Sequence, residues 1–160
     1  MKEIIVFFIS GKEYGIEISG MQSLENYREI TPFPEAPECI LGTVTIRDEI
    51  YPVFDIKAKL TSVRSVLSAE SVTEDTKIIL LRTKVGNMAC VADRVGKVFR
   101  AEGENVQPFP QVARTKDTDY IDFVAKRNNE LIVVVDPNTL LTPEESERIS
   151  KIDFSGKQEQ

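Results

Sequence analysis

The sequence predicts an all-β protein built from two similar small units, and three observations favour this fold. Short apolar runs with the two-residue period of strands recur along the chain and are separated by turn residues. Only a polar connector and one short segment near the C-terminus interrupt that pattern. Three blocks of the first half return in the same order in the second half: residues 14–18 as 88–92, 31–34 (Thr-Pro-Phe-Pro) as 107–110 (Gln-Pro-Phe-Pro), and 51–55 as 132–136. This ordered recurrence indicates a duplicated β unit, typical of small barrels or a sandwich.

The first half of the chain contains four predicted strands. They cover residues 4–10, 13–18, 42–47 and 50–56. The first two form a hairpin, because Gly11 and Lys12 read as a turn between two segments rich in apolar residues. Asp48 and Glu49 form the polar tip of a second hairpin. Pro52 indicates an edge position or a bulge in the strand that follows.

The second half contains five further strands and a helix. The strands cover residues 77–83, 87–92, 94–101, 120–125 and 130–135, with hairpin turns at 85–86 and 127–129. Thr142 and Glu145 form a capping box around Pro143, which predicts a sharp helix start. We therefore predict a first barrel subdomain over residues 1–70, a second over 71–141, a helix over 142–152 and a flexible tail over 153–160. The Ser-, Thr- and Glu-rich residues 62–75 form the connector between the halves.

Composition limits the classes of partner. The formal net charge is −6 and Lys and Arg form no cluster, which argues against nucleic acid and against an anionic membrane surface. The longest apolar runs, at residues 4–9 and 131–135, are far shorter than a membrane span or a signal-peptide core, so we expect a cytoplasmic protein without membrane insertion. Cys39 and Cys90 are distant in sequence and lie in apolar stretches, which is typical of small buried side chains in a reducing compartment.

The sequence offers few groups for catalysis. It contains no histidine, no Cys-x-x-Cys pair, no phosphate-binding glycine loop and no Gly-x-Ser-x-Gly turn, so we predict no catalysis, no cofactor and no metal. Asp55, Asp93 and Asp136 each end or interrupt an apolar strand and are candidates for a carboxylate-dependent hydrolase or lyase. The better interpretation is that they accept backbone N–H groups in the turns that follow. The acidic residues 117–122 lack the calcium-loop pattern and read as solvated charge.

Residues 40–56 carry a more specific pattern. They place Arg47 at a hairpin tip between two apolar strands, and a guanidinium beside apolar surface is a common anchor at protein interfaces. The segment resembles the apolar-Asn-Leu-Arg-Gly-x-apolar-x-Pro-apolar-apolar-Asp-Leu signature of CheW-like chemotaxis coupling proteins. Other stretches match the same family in order: residues 7–18, residues 30–37, the Asp93-x-Val95-x-x-Val98 block and residues 131–141. The resemblance thus extends over nearly the whole chain.

The resemblance implies an adaptor rather than an enzyme. Members of this family consist of two SH3-like five-stranded β-barrels packed together, with a short C-terminal α-helix. They link the cytoplasmic helix bundle of methyl-accepting chemoreceptors to the regulatory domain of a chemotaxis histidine kinase. The resemblance implies receptor binding by Met21, Gln22, Leu24, Gly42, Val44 and Arg47, and kinase binding by Val95 and Val98. A stand-alone peptide-binding β module is the alternative binding function.

The chain departs from the family pattern around the arginine. Asp48 stands in place of a glycine, Thr45 in place of an asparagine, and Ser23 where an acidic residue is usual. These changes predict that Arg47 either lacks a carboxylate partner or pairs with Asp48. We still expect Arg47 to be exposed beside an apolar groove that includes residues 21–24. Its removal is then expected to weaken receptor binding while leaving thermal unfolding almost unchanged.

Overall fold

The computed structural model describes residues 1–65, 71–113, 115 and 118–154. Parts of the predicted connector (66–70) and tail (155–160) lie outside these residues. The described residues form eleven strands and two α-helices. The strands are β1 (Lys2–Ile9), β2 (Lys12–Glu17), β3 (Met21–Asn26), β4 (Ile40–Ile46), β5 (Glu49–Phe54), β6 (Lys77–Thr83), β7 (Gly86–Ala92), β8 (Arg94–Ala101), β9 (Val106–Pro108), β10 (Ile121–Arg127) and β11 (Glu130–Val135), and the helices are α1 (Ile56–Thr61) and α2 (Pro143–Ser150).

The strands form two sheets with matching topology. The six-stranded sheet has the order β8-β1-β2-β11-β10-β9, and the five-stranded sheet has the order β3-β6-β7-β5-β4. Each contains one parallel pair, β2 with β11 and β5 with β7. An isolated bridge between Thr31 and Thr43 adds the segment after β3 to β4, in the place that β9 takes beside β10. The two orders therefore correspond strand for strand, as expected for a duplicated unit.

The two repeats exchange their first hairpins. The β1–β2 hairpin belongs to the first repeat but pairs with β8 and β11 of the second, while the β6–β7 hairpin pairs with β3 and β5 of the first. Each sheet therefore combines strands from both sides of the predicted boundary at residue 70. The predicted ranges 1–70 and 71–141 follow the sequence repeats and do not coincide with the two sheets. A repeat in sequence does not reveal which sheet a hairpin joins, so this exchange could not be predicted.

Burial of both strand faces explains the continuous apolar runs. Side chains alternate between the two faces of a strand. In β6, Ile78 and Leu80 join a cluster within the five-stranded sheet, whereas Ile79 and Leu81 join the large central cluster that also contains Phe7 of β1. A third cluster belongs to the six-stranded sheet and is built from Ile4, Ala101, Phe123, Ala125 and Val134. The core thus consists of one cluster for each sheet and one shared between them.

The C-terminal helix begins as predicted and ends earlier. Thr142 N donates to Glu145 Oε1 at 2.9 Å and Glu145 N donates to Thr142 Oγ1 at 3.1 Å, which completes the capping box. The helix ends at Ser150 rather than residue 152, and its Ile149 is buried in the central cluster. At the start of the predicted tail, the ring centroid of Phe154 lies 5.2 Å from that of Phe33.

Among these strands and α-helices, β3, β9 and α1 were not predicted. Helix α1 begins within the strand predicted over 50–56, because Asp55 caps it by accepting a hydrogen bond from Ala58 N. Pro52 pairs with Thr43 of β4, and β5 lies between β4 and β7, so the expected edge position is wrong. The register shift instead occurs in β4, between Ile40 and Gly42. No helix in the described part of the chain has the length and apolar character needed to cross a membrane.

Candidate protein-binding site

Arg47 occupies the tip of the β4–β5 hairpin. Ile46 pairs with Glu49, so the turn contains only Arg47 and Asp48. Both residues have positive φ, 50° and 68° respectively. Two consecutive residues with positive φ define the type I′ turn that matches the twist of paired strands. The position of Asp48 therefore does require the conformation that glycine adopts most easily, and aspartate is one of the few other residues that tolerate it.

A buried carboxylate holds the Arg47 guanidinium. Arg47 Nη1 donates to Glu25 Oε1 at 3.1 Å and Nη2 donates to Oε2 at 2.9 Å, a bidentate pair. The Glu25 side chain is only 8% exposed, whereas that of Arg47 is 66% exposed. Arg28 Nη1 lies 3.6 Å from Glu25 Oε1 and adds a second positive charge. The pair also joins β3 to the end of β4, the two outer strands of the five-stranded sheet.

The electrostatics keep this pair ionised at neutral pH. The hydrogen bonds from Arg47 lower the pKa of the Glu25 carboxyl from its ordinary value of 4.5. The same contact with Glu25 raises the pKa of Arg47. The pKa of Glu25 is lower in the folded protein than its ordinary value. The pair therefore contributes its full stabilisation at pH values above that ordinary pKa, and this stabilisation is lost as the pH falls through the folded pKa of Glu25. Arg47 is therefore presented as a fixed cation over the physiological range.

The structure corrects the expectation that Ser23 leaves Arg47 without a carboxylate. Glu25 supplies it from two residues further along β3. Ser23 and Glu25 point to the same face of the strand because side chains alternate with a period of two. The ion pair of Arg47 is therefore with Glu25 and not with Asp48. Sequence reasoning missed Glu25, although this alternation was a signal that could have found it.

The other predicted receptor-binding residues differ in exposure. On β3, Gln22 and Leu24 are exposed and Met21 is half-buried against the central cluster. Gly42 and Val44 are buried, Val44 being only 1% exposed, so they present little surface to a partner. Among large apolar side chains, Leu24 at 40% and Ile50 at 38% are the exposed ones on β3 and β5. Ile50 was not predicted.

The predicted kinase-binding valines lie on β8, an outer strand of the six-stranded sheet. Val98 is 46% exposed, whereas Val95 is half-buried and packs against the central cluster. Their partners in the register are Ile5 and Phe7 of β1, both buried. Of the two valines, Val98 therefore offers more surface to a partner.

The three strand-end aspartates act as hydrogen-bond acceptors within the fold. Asp93 Oδ2 accepts from Ser10 N at 2.8 Å, and Asp136 Oδ1 accepts from Asn138 N at 2.9 Å. Asp55 accepts from Ala58 N at 3.1 Å, from Ser65 N at 3.1 Å and from Ser65 Oγ at 2.6 Å. The contacts of Asp55 and Asp136 match the predicted bonds with the residues that follow each strand. Asp93 instead accepts from the β1–β2 turn, which lies 83 positions away in sequence.

The aspartates do not converge on one cavity. Asp55 lines a cavity of about 230 Å³ with Cys39, Lys59 and other residues, whereas Asp93 lines a separate one of about 70 Å³. The residues that the structure describes hold no group of three or more His, Cys, Asp or Glu side chains suited to a metal ion. Asp117 of the acidic 117–122 stretch lies outside the described residues.

Both cysteines are unpaired thiols. Cys90 is buried and Cys39 is half-buried. Burial is the main cause that raises the pKa of each thiol to about 12. Both groups are therefore protonated at neutral pH, consistent with their interpretation as small packing side chains.

Replacing Asp55 with alanine is expected to lower the free energy of unfolding by about 2–4 kcal/mol, because a helix cap and two hydrogen bonds from Ser65 are lost at a buried site. Asp136→Ala, which removes one side-chain bond, is the matched control and should cost about 1 kcal/mol or less. Urea unfolding followed by circular dichroism measures both. Equal losses in the two variants would show that Asp55 does not tie α1 to Ser65.

This chain is similar to one protein family, to several curated proteins and to a solved structure. The family model described as "CheW-like domain" matches residues 3–145. The chemotaxis protein CheW of Bacillus subtilis (strain 168) is 27% identical over 147 residues, covering 91% of this chain and 90% of that protein. The chemotaxis protein CheW of Klebsiella aerogenes is 26% identical over 151 residues, covering 94% and 88%. The crystal structure of the scaffolding protein TtCheW from Thermoanaerobacter tengcongensis superposes with a TM-score of 0.75 at 25% identity, covering 90% of each chain.

Proposed function

The chain belongs to the CheW-like domain family, and from this premise we propose that it couples the cytoplasmic tips of chemoreceptors to the regulatory domain of a chemotaxis histidine kinase. Its fold is that of the family, mostly β with two SH3-like subdomains and a short C-terminal helix. It is a non-catalytic scaffolding protein of chemotaxis. The identity of its two partners, and its action in the cytoplasm, are the proposal.

The observation that carries receptor binding is the state of Arg47. Its side chain is 66% exposed, yet Glu25 holds the guanidinium in one orientation. Exposed Leu24 and Ile50 add apolar surface on the same sheet. A fixed cation and exposed apolar side chains on one sheet suit an amphipathic helix, which offers apolar side chains together with polar acceptors. We therefore assign the receptor helix bundle to the edge formed by β3 and the β4–β5 tip.

A second surface lies on the other sheet. Val98 is exposed on β8, whereas Arg47 lies at the end of β4, and the two strands belong to different sheets. We assign the kinase regulatory domain to the β8 surface. Occupancy of both surfaces at once couples the partners by a free energy of interaction rather than by a reaction. Modest affinity at each surface is sufficient when many copies assemble in an array.

Replacing Val98 with aspartate tests this division of surfaces. We expect the affinity for the kinase regulatory domain to fall by about tenfold or more, because a charge is then desolvated in an apolar contact. The affinity for a receptor fragment should not change. Wild type should recruit the kinase domain to immobilised receptor fragment, and Val98→Asp should bind the receptor fragment alone.

The matched control for this test is Leu131→Asp. Leu131 is 66% exposed on β11 of the same sheet, so the change adds the same charge at another exposed apolar position. It should bind the kinase domain like wild type. An equal loss in both variants would count against the β8 assignment, and a wild-type protein that binds neither partner would count against the coupling function itself.

A further inference from the structure

We propose that Glu25 is a positioning residue for receptor recognition, and that the open side of the Arg47 guanidinium binds an acidic side chain of the receptor helix. This inference rests on the receptor-binding function proposed above. It concerns a residue that the family signature does not mark and that sequence reasoning did not select.

The geometry leaves a defined part of Arg47 open. Glu25 contacts Nη1 with one oxygen and Nη2 with the other, so it approaches the guanidinium from its end. A guanidinium carries five N–H donors, and this contact uses two of them. The Nε–H and the adjacent Nη–H point along the side of the group as a parallel fork. That fork matches the two oxygens of a carboxylate.

Positioning by Glu25 reduces the cost of binding. A free arginine side chain samples many rotamers and must be ordered when a partner binds. Here the ordering takes place on folding, because the Glu25 side chain is only 8% exposed and holds both Nη atoms. The guanidinium is therefore already oriented when the helix arrives.

A second cation lies beside the pair. Once a receptor carboxylate binds, Arg47 lies between two negative groups, and Asp48 and Glu49 follow it in the chain. Arg28, 3.6 Å from Glu25, offsets part of this negative charge. Without Arg28 the bound carboxylate and Glu25 would share one cation. A backbone carbonyl could use only part of the fork, which makes it the weaker candidate.

The experiment compares Glu25→Gln with Glu29→Gln, a neighbouring glutamate that forms no ion pair with Arg47 among the described residues. Binding of a receptor fragment is titrated at low and high salt, and thermal unfolding is followed in parallel. Glu25→Gln keeps the side-chain shape but loses the charge, and should weaken receptor binding by about three- to tenfold without changing kinase binding. Glu29→Gln should bind like wild type. Receptor binding by Glu25→Gln equal to wild type would overturn the inference.

Exchange of the two charges separates positioning from structural support. The double variant Glu25→Arg with Arg47→Glu restores an ion pair, so its unfolding temperature should recover relative to the single variants. Its receptor affinity should stay at least about tenfold below wild type, because the exposed group is now a carboxylate. Recovery of receptor binding would overturn the inference. Arg47→Lys, which keeps the charge without the fork, should bind weakly, and wild-type affinity in that variant would also overturn it.

The same series distinguishes two kinds of failure. If wild type does not bind the receptor fragment, the proposed function fails, and if wild type and Arg47→Ala bind it equally, the role of Arg47 as anchor fails. If Arg47→Ala weakens binding and Glu25→Gln does not, only the role of Glu25 fails. If binding by wild type survives neutralisation of every acidic residue in the receptor fragment, the ligand is not a carboxylate and that part of the inference is wrong.

Discussion

Replacing Arg47 with alanine is expected to weaken binding of a chemoreceptor fragment by about tenfold or more, while the affinity for the kinase regulatory domain stays unchanged. The change removes the exposed, preoriented donors at the β4–β5 tip and leaves β8 untouched. Isothermal titration of wild type and variant against both partners measures the effect. An unchanged receptor affinity would refute the role assigned to Arg47.

The matched control for this change is Arg64→Ala. Arg64 is 69% exposed and pairs with the exposed Glu38 at 3.0 Å, so it resembles Arg47 in exposure and in having a carboxylate partner. It lies after α1 and not on the β3–β4 edge. Its removal should leave both affinities at wild-type values. A similar loss in the two variants would mean that general surface charge, rather than a defined anchor, controls receptor binding.

The structure also changes what is expected of the stability of Arg47→Ala. The sequence alone suggested almost unchanged unfolding, as for a solvated turn residue. Because Glu25 is buried, removal of Arg47 takes away the bidentate partner of its carboxylate and leaves Arg28 at the longer distance of 3.6 Å as the remaining cation beside it. The unfolding temperature should therefore fall at neutral pH. The difference from wild type should shrink as pH drops through the lowered pKa of Glu25, since a protonated carboxyl no longer needs the cation.

Local pattern predicted the hairpins well and their assembly poorly. Strands such as β6 and β11 were bounded correctly because apolar runs and turn residues are local properties. The exchange of hairpins between repeats was not predicted, because both faces of β1 and β6 are apolar and either sheet could accept them. The strand β9 has three residues and ends in proline, which gives too little pattern to detect.

The candidate site shows the same division between local and nonlocal information. The Arg47 tip followed from sequence, since it lies within one hairpin. Glu25 was missed because its partner is 22 positions away in sequence and a charged residue within a strand normally faces solvent. The sequence predicted Gly42 as a receptor-binding residue, and it does lie in the β4–β5 hairpin. Its burial indicates that glycine is needed there for close packing against the neighbouring backbone.

Replacing Gly42 with alanine is expected to lower the free energy of unfolding by at least about 3 kcal/mol, because the new methyl group would overlap neighbouring backbone. A Cβ atom at position 42 would lie 2.2 Å from the carbonyl oxygen of Thr31 and 2.9 Å from its carbonyl carbon. The Thr31 backbone cannot easily withdraw, since it exchanges two 2.8 Å hydrogen bonds with Thr43. Relief of the overlap therefore requires breaking the bridge that adds this segment to β4.

Gly11→Ala is the control that separates this overlap from the loss of glycine flexibility. Gly11 has a φ of 81° in the β1–β2 turn, and an added Cβ would meet nothing within 4 Å, so its replacement should cost only about 1–2 kcal/mol. Urea unfolding of both variants gives the comparison. Gly42→Ala should also weaken receptor binding, although residue 42 is buried, because displacement of β4 moves Arg47 at its end. Equal destabilisation by the two changes would show that the Thr31 segment yields freely, and Gly42 would then have no role in placing the hairpin tip.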